Sequence, residues 1–420
     1  MKNDLVVDKK TVKKQENEYY HYVAEKIKEF NGNGKLTVAI FTDAFFPNLD
    51  GVVMVVDNLA KRLKDKCNVV VFAPKDNGLT VKRDYLVVGV KSYYFKKYGY
   101  YAALFQAFDF KFKNLLRSLR IDVIHAHSPF FLGAKAKKLH KKRNIPFIMS
   151  FHSQYKKDIY RSTGSKLLTK IVLAKLMSVF NGADETWTMH NKSAATLKEY
   201  GYKGKIALMP NATDYVYPEN AEEIINKTRE NYGIKDEYVF LFVGRLVLQK
   251  NILFIIDVLA ALRDKGLKFK MFFVGDGNDR AALEKKIKDL NLESQVSLIG
   301  NVADKEIIKG FYLTADLVLF PSKYDVSSII QLEAAAMKTP CAFVKDSVTS
   351  FTVKDKVNGL ILPEDVEEFA RGVYDFVTDE DYKRNISENA HRDLYVTWDE
   401  IVDKSLSAYK TIVEEYKERK

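Results

Sequence analysis

Apolar and polar positions alternate along the chain in short apolar runs separated by amphipathic stretches. Residues 10–30 are rich in lysine and glutamate, with Tyr19, Tyr20, Tyr22, Val23, Ile27 and Phe30 at helical intervals, and they stop at Asn31-Gly-Asn-Gly34. This pattern predicts a helix ended by a breaker. An apolar run at 36–41 predicts a strand, the stretch from Gly51 through Lys66 a helix, and 68–72 a second strand. That order implies a parallel sheet. Further strands are predicted at 121–125, 145–151, 184–189, 238–244, 270–274 and 315–320, and an amphipathic helix after Trp398. The fold class is therefore α/β.

Length and composition extend this to two domains. A chain of 420 residues exceeds one ordinary core, and 47% hydrophobic with 13% aromatic residues can fill two. The expected organisation is an N-terminal helical extension (1–34), a first Rossmann-like domain (35–215), a charged linker (216–237), a second Rossmann-like domain (238–396) and a C-terminal helix (397–420) that crosses back to the first domain. That crossing would make the two terminal segments neighbours. Only Cys67 and Cys341 are present, so no disulfide framework or cysteine-rich metal site is expected, and a reducing cytoplasm fits. The start lacks the apolar stretch of a signal peptide, and no window reaches the roughly 18 apolar residues of a spanning helix.

The formal charge of +12 leaves nucleic acid, an anionic membrane surface and simple solubility as explanations. No nucleic-acid module is recognisable, so no nucleic-acid partner is expected. Residues 91–117 interleave lysines with many aromatics, as a segment in a lipid headgroup layer would. A core-facing helix plus an acceptor-site loop explains the same pattern. Lys135, Lys137, Lys138, Lys141, Lys142, Lys156, Lys157, Lys166, Lys170 and Lys175 belong to the same domain and could extend a basic surface.

The candidate chemistry gathers at the carboxyl ends of predicted strands, where doubly wound sheets bind ligands. After 238–244 come Arg245 and Lys250, a forked donor and a point charge suited to a diphosphate without a metal. After 270–274 come Gly275 and Gly277, where backbone can approach a ligand. After 315–320 and Pro321 comes Asp325, seven intervening residues before Glu333 on a helix that Ser327 or Ser328 can cap, with Ile329 in its first turn. Four of the seven histidines, His125, His127, His152 and His190, fall at three strand ends without the spacing of a zinc site. Asp379-Glu-Asp381 matches a D-x-D metal pattern, but acids starting a helix explain it better.

The run from Val243-Gly-Arg-Leu to Lys250, then Val274-Gly-Asp-Gly277, then Phe320-Pro-Ser through Glu333 to Pro340, resembles the retaining GT-B glycosyltransferases of family 4. The similarity covers the chain from about Leu36 onward and includes the diacylglycerol glucosyltransferase-like branch. It implies two Rossmann-like domains with a facing cleft, and a nucleotide sugar, UDP-glucose or a related UDP-sugar, as donor substrate with no cofactor or metal. By the resemblance, Arg245 and Lys250 hold the diphosphate beside Gly244, Gly275, Ser327, Ser328 and Ile329. Asp325 contacts the donor sugar, Glu333 the ribose and His152 the C6 side of the sugar. Gly51 opens a helix that meets the donor phosphate, and His127 lies on the acceptor side. The implied acceptor is a membrane lipid such as diacylglycerol or a glycolipid, which would place the protein at the inner face of the cell membrane. A surface polysaccharide on a lipid carrier and a non-catalytic partner subunit are the alternatives. The sequence departs from the family pattern at Asp325, where Glu is usual, and at Ser328, Lys338 and Ala212, where Gly is usual.

Overall fold

The computed structural model describes residues 9–48, 50–95, 100–104, 106–323 and 329–418. The chain forms two units, Met1–Pro210 with Trp398–Lys420, and Asn211–Thr397.

The first unit is built on strands β1 (Thr37–Phe41), β2 (Asn68–Pro74) and β3 (Leu86–Val90). A separate antiparallel pair follows, β4 (Tyr93–Phe95) with β5 (Tyr100–Ala102), and then β6 (Val123–Ala126), β7 (Phe147–Phe151), β8 (Glu185–Thr188) and β9 (Lys205–Leu208). Seven of them make one parallel sheet in the order β3-β2-β1-β6-β7-β8-β9. Order reverses between β1 and β6. There the connections leave toward opposite sides and open a crevice at the strand carboxyl ends.

Successive residues of β1 serve opposite faces. Ala39 and Phe41 join a core with Tyr19, Tyr20, Val23 and Ile27 of the Lys9–Gly32 helix, whereas Val38 and Ile40 join one with Val402, Tyr409 and Ile412 of the Trp398–Glu418 helix. The two terminal helices, expected as neighbours, thus cover opposite faces of the sheet. Tyr19 and Tyr20 anchor the first by donating to the carbonyls of Val87 (3.0 Å) and Gly89 (3.1 Å). Trp187 stacks on Tyr409 of the last at 5.2 Å.

The second unit carries β10 (Tyr238–Val243), β11 (Phe269–Val274), β12 (Val296–Gly300), β13 (Leu317–Phe320), β14 (Cys341–Val344) and β15 (Leu360–Leu362) in one parallel sheet, ordered β12-β11-β10-β13-β14-β15. Its central strands β10, β13 and β14 are covered on both faces, which is why they read as unbroken apolar runs. Order reverses between β10 and β13. The stretch 216–237, expected as a linker, contains the Ala221–Asn231 helix and belongs to this unit. Thr228 on that helix fits against Gly310, where a Cβ would lie 2.5 Å from the Thr228 hydroxyl oxygen.

The aromatic stretch 91–117 is part core-facing and part exposed. Phe112, Leu115 and Leu116 of the Phe110–Ser118 helix are buried, while Tyr93, Tyr94, Phe108 and Phe110 are exposed. Among the described residues no helix is long and apolar enough to cross a membrane. Cys67 and Cys341 are both buried free thiols.

Candidate functional site

In the second unit the segments after β10 and β11 keep pairing beyond the sheet. Gly244 N–H donates to Val274 O at 2.9 Å, Leu246 N–H to Asp276 O at 3.0 Å, and Asp279 N–H to Leu246 O at 3.1 Å. Such close backbone approach excludes side chains. A Cβ on Gly275 would sit 2.0 Å from Gly244 O, one on Gly277 2.3 Å from Leu246 O, and Gly244 and Gly275 adopt φ of 147° and 135°. The consequence is a backbone ledge of two closely packed segments after β10 and β11, beside the reversal point of the sheet.

Arg245 stands out from this ledge. It is exposed, and its side chain makes no ion pair among the described residues. Lys250 closes the short turn Leu248–Lys250 and lies over the Phe320 ring, 5.2 Å from its centroid, at the carboxyl end of β13. Asn251, in left-handed conformation, donates to Glu364 at 3.0 Å, and Lys323 pairs with the same carboxylate. The segment after β15 thereby ties down those after β10 and β13. Ile329 opens the Ile329–Ala336 helix that carries Glu333. Asp325, Ser327 and Ser328 lie outside the described residues.

Glu333 accepts a hydrogen bond from the Tyr312 hydroxyl at 2.9 Å. Burial pushes its carboxyl up from 4.5 to about 7, against the pull of that bond and of Lys305. Tyr312 is a neighbour that sequence inspection missed. It is fully buried on the Lys305–Thr314 helix, 21 residues from Glu333, and nothing in its local sequence marks it. Lys338, where the family pattern has Gly, keeps a left-handed φ of 60° and reaches Glu388 at 3.0 Å. Ala212 is buried without needing positive φ, so the missing Gly is no conflict there.

In the first unit the reversal point brings imidazoles together. His127 follows β6 and His152 follows β7; His127 Nδ1 and His152 Nε2 are 3.1 Å apart with the rings stacked. One proton must lie between those nitrogens. His127 Nε2 is buried without a partner among the described residues, whereas His152 keeps some exposure. His125 is satisfied on both sides, by the Tyr409 hydroxyl at 2.6 Å and Ser150 Oγ at 2.8 Å. Burial lowers all three, His125 to about 3, His152 to about 4 and His127 well below 6.5, so the cluster is neutral near pH 7. His190 is structural. Its Nδ1 accepts from Ser193 N–H at 3.2 Å and caps the Asn191–Glu199 helix.

Asp43, at the end of β1, ties this edge together. It accepts from Leu132 N–H at 2.9 Å and Ser128 Oγ at 3.1 Å, capping the Phe131–Arg143 helix, which has no side-chain cap of its own. Burial lifts its carboxyl to about 6 in spite of those bonds. Gly51 starts the Gly51–Leu63 helix behind the Asp50 cap, and a Cβ there would meet nothing within 4 Å. Packing does not require glycine at that position. Asp379, first acid of the D-x-D pattern, accepts from Tyr382 N–H at 2.9 Å and caps the Glu380–Leu394 helix.

Two family profiles match the chain, one described as "Glycosyl transferases group 1" over residues 224–393 and one as "Glycosyltransferase Family 4" over residues 49–216. An alpha-monoglucosyldiacylglycerol synthase of Acholeplasma laidlawii is 24% identical over 345 residues, covering 79% of this chain and 86% of that protein. One from Streptococcus pneumoniae is 22% identical over 332 residues, covering 78% and 75%. Among solved structures, HepE of Anabaena in complex with UDP superposes with a TM-score of 0.72 at 17% identity, covering 90% of this chain and all of that one.

Proposed function

Since the chain belongs to the family 4 glycosyltransferases and has their GT-B fold, we propose that it moves glucose from a UDP-sugar to a membrane-associated acceptor, diacylglycerol or its glycolipid, with retention of anomeric configuration and without a metal ion. The observation that carries this is the ledge after β10. An exposed guanidinium, and an ammonium at the neighbouring strand end, flank two backbone segments packed too closely for side chains between them.

The chemical task is to stabilise the departing nucleoside diphosphate as the glycosidic bond loosens. Arg245 supplies a planar fork for two phosphate oxygens and Lys250 a compact charge. The Ile329–Ala336 helix adds backbone N–H groups at its start, and Glu333 binds the ribose. Asp325 orients sugar hydroxyls, and His152 meets the C6 side. The neutral state of the histidine cluster suits hydrogen bonding to hydroxyls better than binding to phosphate. The acceptor assignment draws on the two glucosyldiacylglycerol synthases.

The test is transfer from labelled UDP-glucose to diacylglycerol in mixed micelles, with and without a chelator, and with the product anomer read by proton coupling constants. An α-glycolipid formed equally with chelator present is expected. Arg245→Ala and Lys250→Ala should each lower kcat by about 10²–10³-fold. A β-product, or activity abolished by chelation, would refute retention or metal independence. Nucleotide binding with neither transfer nor hydrolysis, on any acceptor, would identify a non-catalytic partner.

A further inference from the structure

The basic charge of the molecule is concentrated in one place. Between residues 131 and 180 there are twelve Lys or Arg and a single acid, Asp158, so this stretch holds +11 of the chain's +12. Elsewhere 55 cations (67 less 12) meet 54 acids (55 less 1).

The stretch folds into three helices of the first unit, Phe131–Arg143, Tyr155–Thr163 and Lys166–Phe180, the last two joined at Gly164 and Ser165. The third buries Thr169, Leu176, Met177, Val179 and Phe180. Its other side exposes Leu167, Lys170, Ile171, Ala174, Lys175 and Ser178, at spacings of three and four that make one stripe. Leu167 is 68% exposed, Leu168 49% and Ile171 54%. The Ser165 hydroxyl accepts from Leu168 N–H at 3.3 Å and fixes the first turn, where two of these three begin. Lys137 of the Phe131–Arg143 helix donates to Ser178 O, so basic residues of that helix adjoin the stripe.

Lysines alone would suit any polyanion. Three branched aliphatics held in water within two turns, with no acid on their helix, need a partner that takes apolar and cationic groups side by side. A nucleic-acid backbone offers nothing to leucine. An anionic bilayer offers acyl chains beneath a layer of phosphates. We propose that the Lys166–Phe180 helix lies on an anionic lipid surface, with Leu167, Leu168 and Ile171 entering the acyl boundary while Lys166, Lys170 and Lys175 contact headgroups. Only three residues separate the end of β7 from the Tyr155–Thr163 helix, and His152 is one of them. Lipid docking therefore lies close in sequence to a proposed donor-sugar residue. The biological purpose of docking rests on the lipid-acceptor function proposed above; the docking itself does not.

Co-sedimentation of the full chain with phosphatidylglycerol–phosphatidylcholine vesicles and with phosphatidylcholine vesicles, at about 0.05 M and about 0.5 M salt, tests it. Binding should require the anionic lipid and weaken with salt. The charge-neutral triple variant Leu167→Gln/Leu168→Gln/Ile171→Gln should lose roughly tenfold or more in partitioning, with an unchanged melting curve because all three side chains are exposed. Lys166→Gln/Lys170→Gln/Lys175→Gln should lose binding at low salt and flatten the salt dependence. A wild-type chain that stays in the supernatant overturns the proposal. So does vesicle binding unaffected by the aliphatic triple, which would mean a purely electrostatic contact or a lipid contact elsewhere on the chain. Sugar transfer in detergent micelles separates the two claims: transfer without vesicle binding removes the docking surface alone, and vesicle binding without transfer removes the acceptor assignment alone.

Discussion

At Glu333, burial and the proposed ribose contact pull in opposite directions. The folded chain holds the carboxyl's proton up to about pH 7, whereas an unfolded chain releases it near 4.5. Stability from this group is full below pH 4.5, falls as pH rises toward 7, and stays reduced above it. Glutamine has nearly the same shape, can still accept from Tyr312 and has no charge to desolvate. Glu333→Gln should therefore be more stable than wild type by about 1–3 kcal/mol at pH 8, with the difference vanishing below pH 4.5. Chemical denaturation at the two pH values checks this, and a variant less stable at pH 8 would show that the carboxylate is held by favourable contacts instead. Glu333 could be found from sequence because it follows a strand and a turn at fixed spacing. Tyr312 could not, because an aromatic on the apolar face of an ordinary helix looks like any core residue. The histidines show the same limit. Their positions at strand ends were readable, but satisfied His125 was distinguishable from half-satisfied His127 only once Tyr409 and Ser150 were in place.

Among elements, eight of the thirteen parallel strands were legible, the central ones because burial on both faces writes them as continuous apolar runs, whereas β3, β9, β12, β14 and β15 were not anticipated. The Ala221–Asn231 helix was hidden by its charged composition and read as linker, since only Ala221 and Thr228 are buried along it. The face each terminal helix covers was also unreadable, because it depends on which alternate residues of β1 point each way. The paired segments after β10 and β11 offer a direct test of the ledge. Gly275→Ala puts a methyl against the Gly244 carbonyl and should cost roughly 2–4 kcal/mol. Gly266→Ala also meets a positive φ, 82°, but a Cβ there has open space, and it should cost only about 1 kcal/mol. Melting of the two variants separates backbone conformation from steric exclusion. Equal losses would mean the two segments can part without penalty.

At the scale of the whole molecule, the chain path makes the two units unequal. Asn211–Thr397 is continuous, whereas the first unit is completed only when Trp398–Lys420 returns to it. That last helix buries Ile401, Val402, Tyr409 and Ile412, and Tyr409 supplies one of the two partners of buried His125. Four such side chains at about 1.5–3 kcal/mol each amount to roughly 6–12 kcal/mol, comparable to the entire stability of about 5–15 kcal/mol expected for a domain. A fragment of residues 1–210 should therefore fail to fold, and supplying 398–420 in trans should restore near-ultraviolet circular dichroism. A fragment of residues 211–397 should fold alone with one cooperative transition. If the ledge after β10 is the nucleotide site, UDP will raise that fragment's melting temperature in proportion to the logarithm of its concentration above Kd, and Lys250→Ala will remove the shift. A fragment that folds but ignores UDP would show that the ledge after β10 is not by itself a nucleotide site.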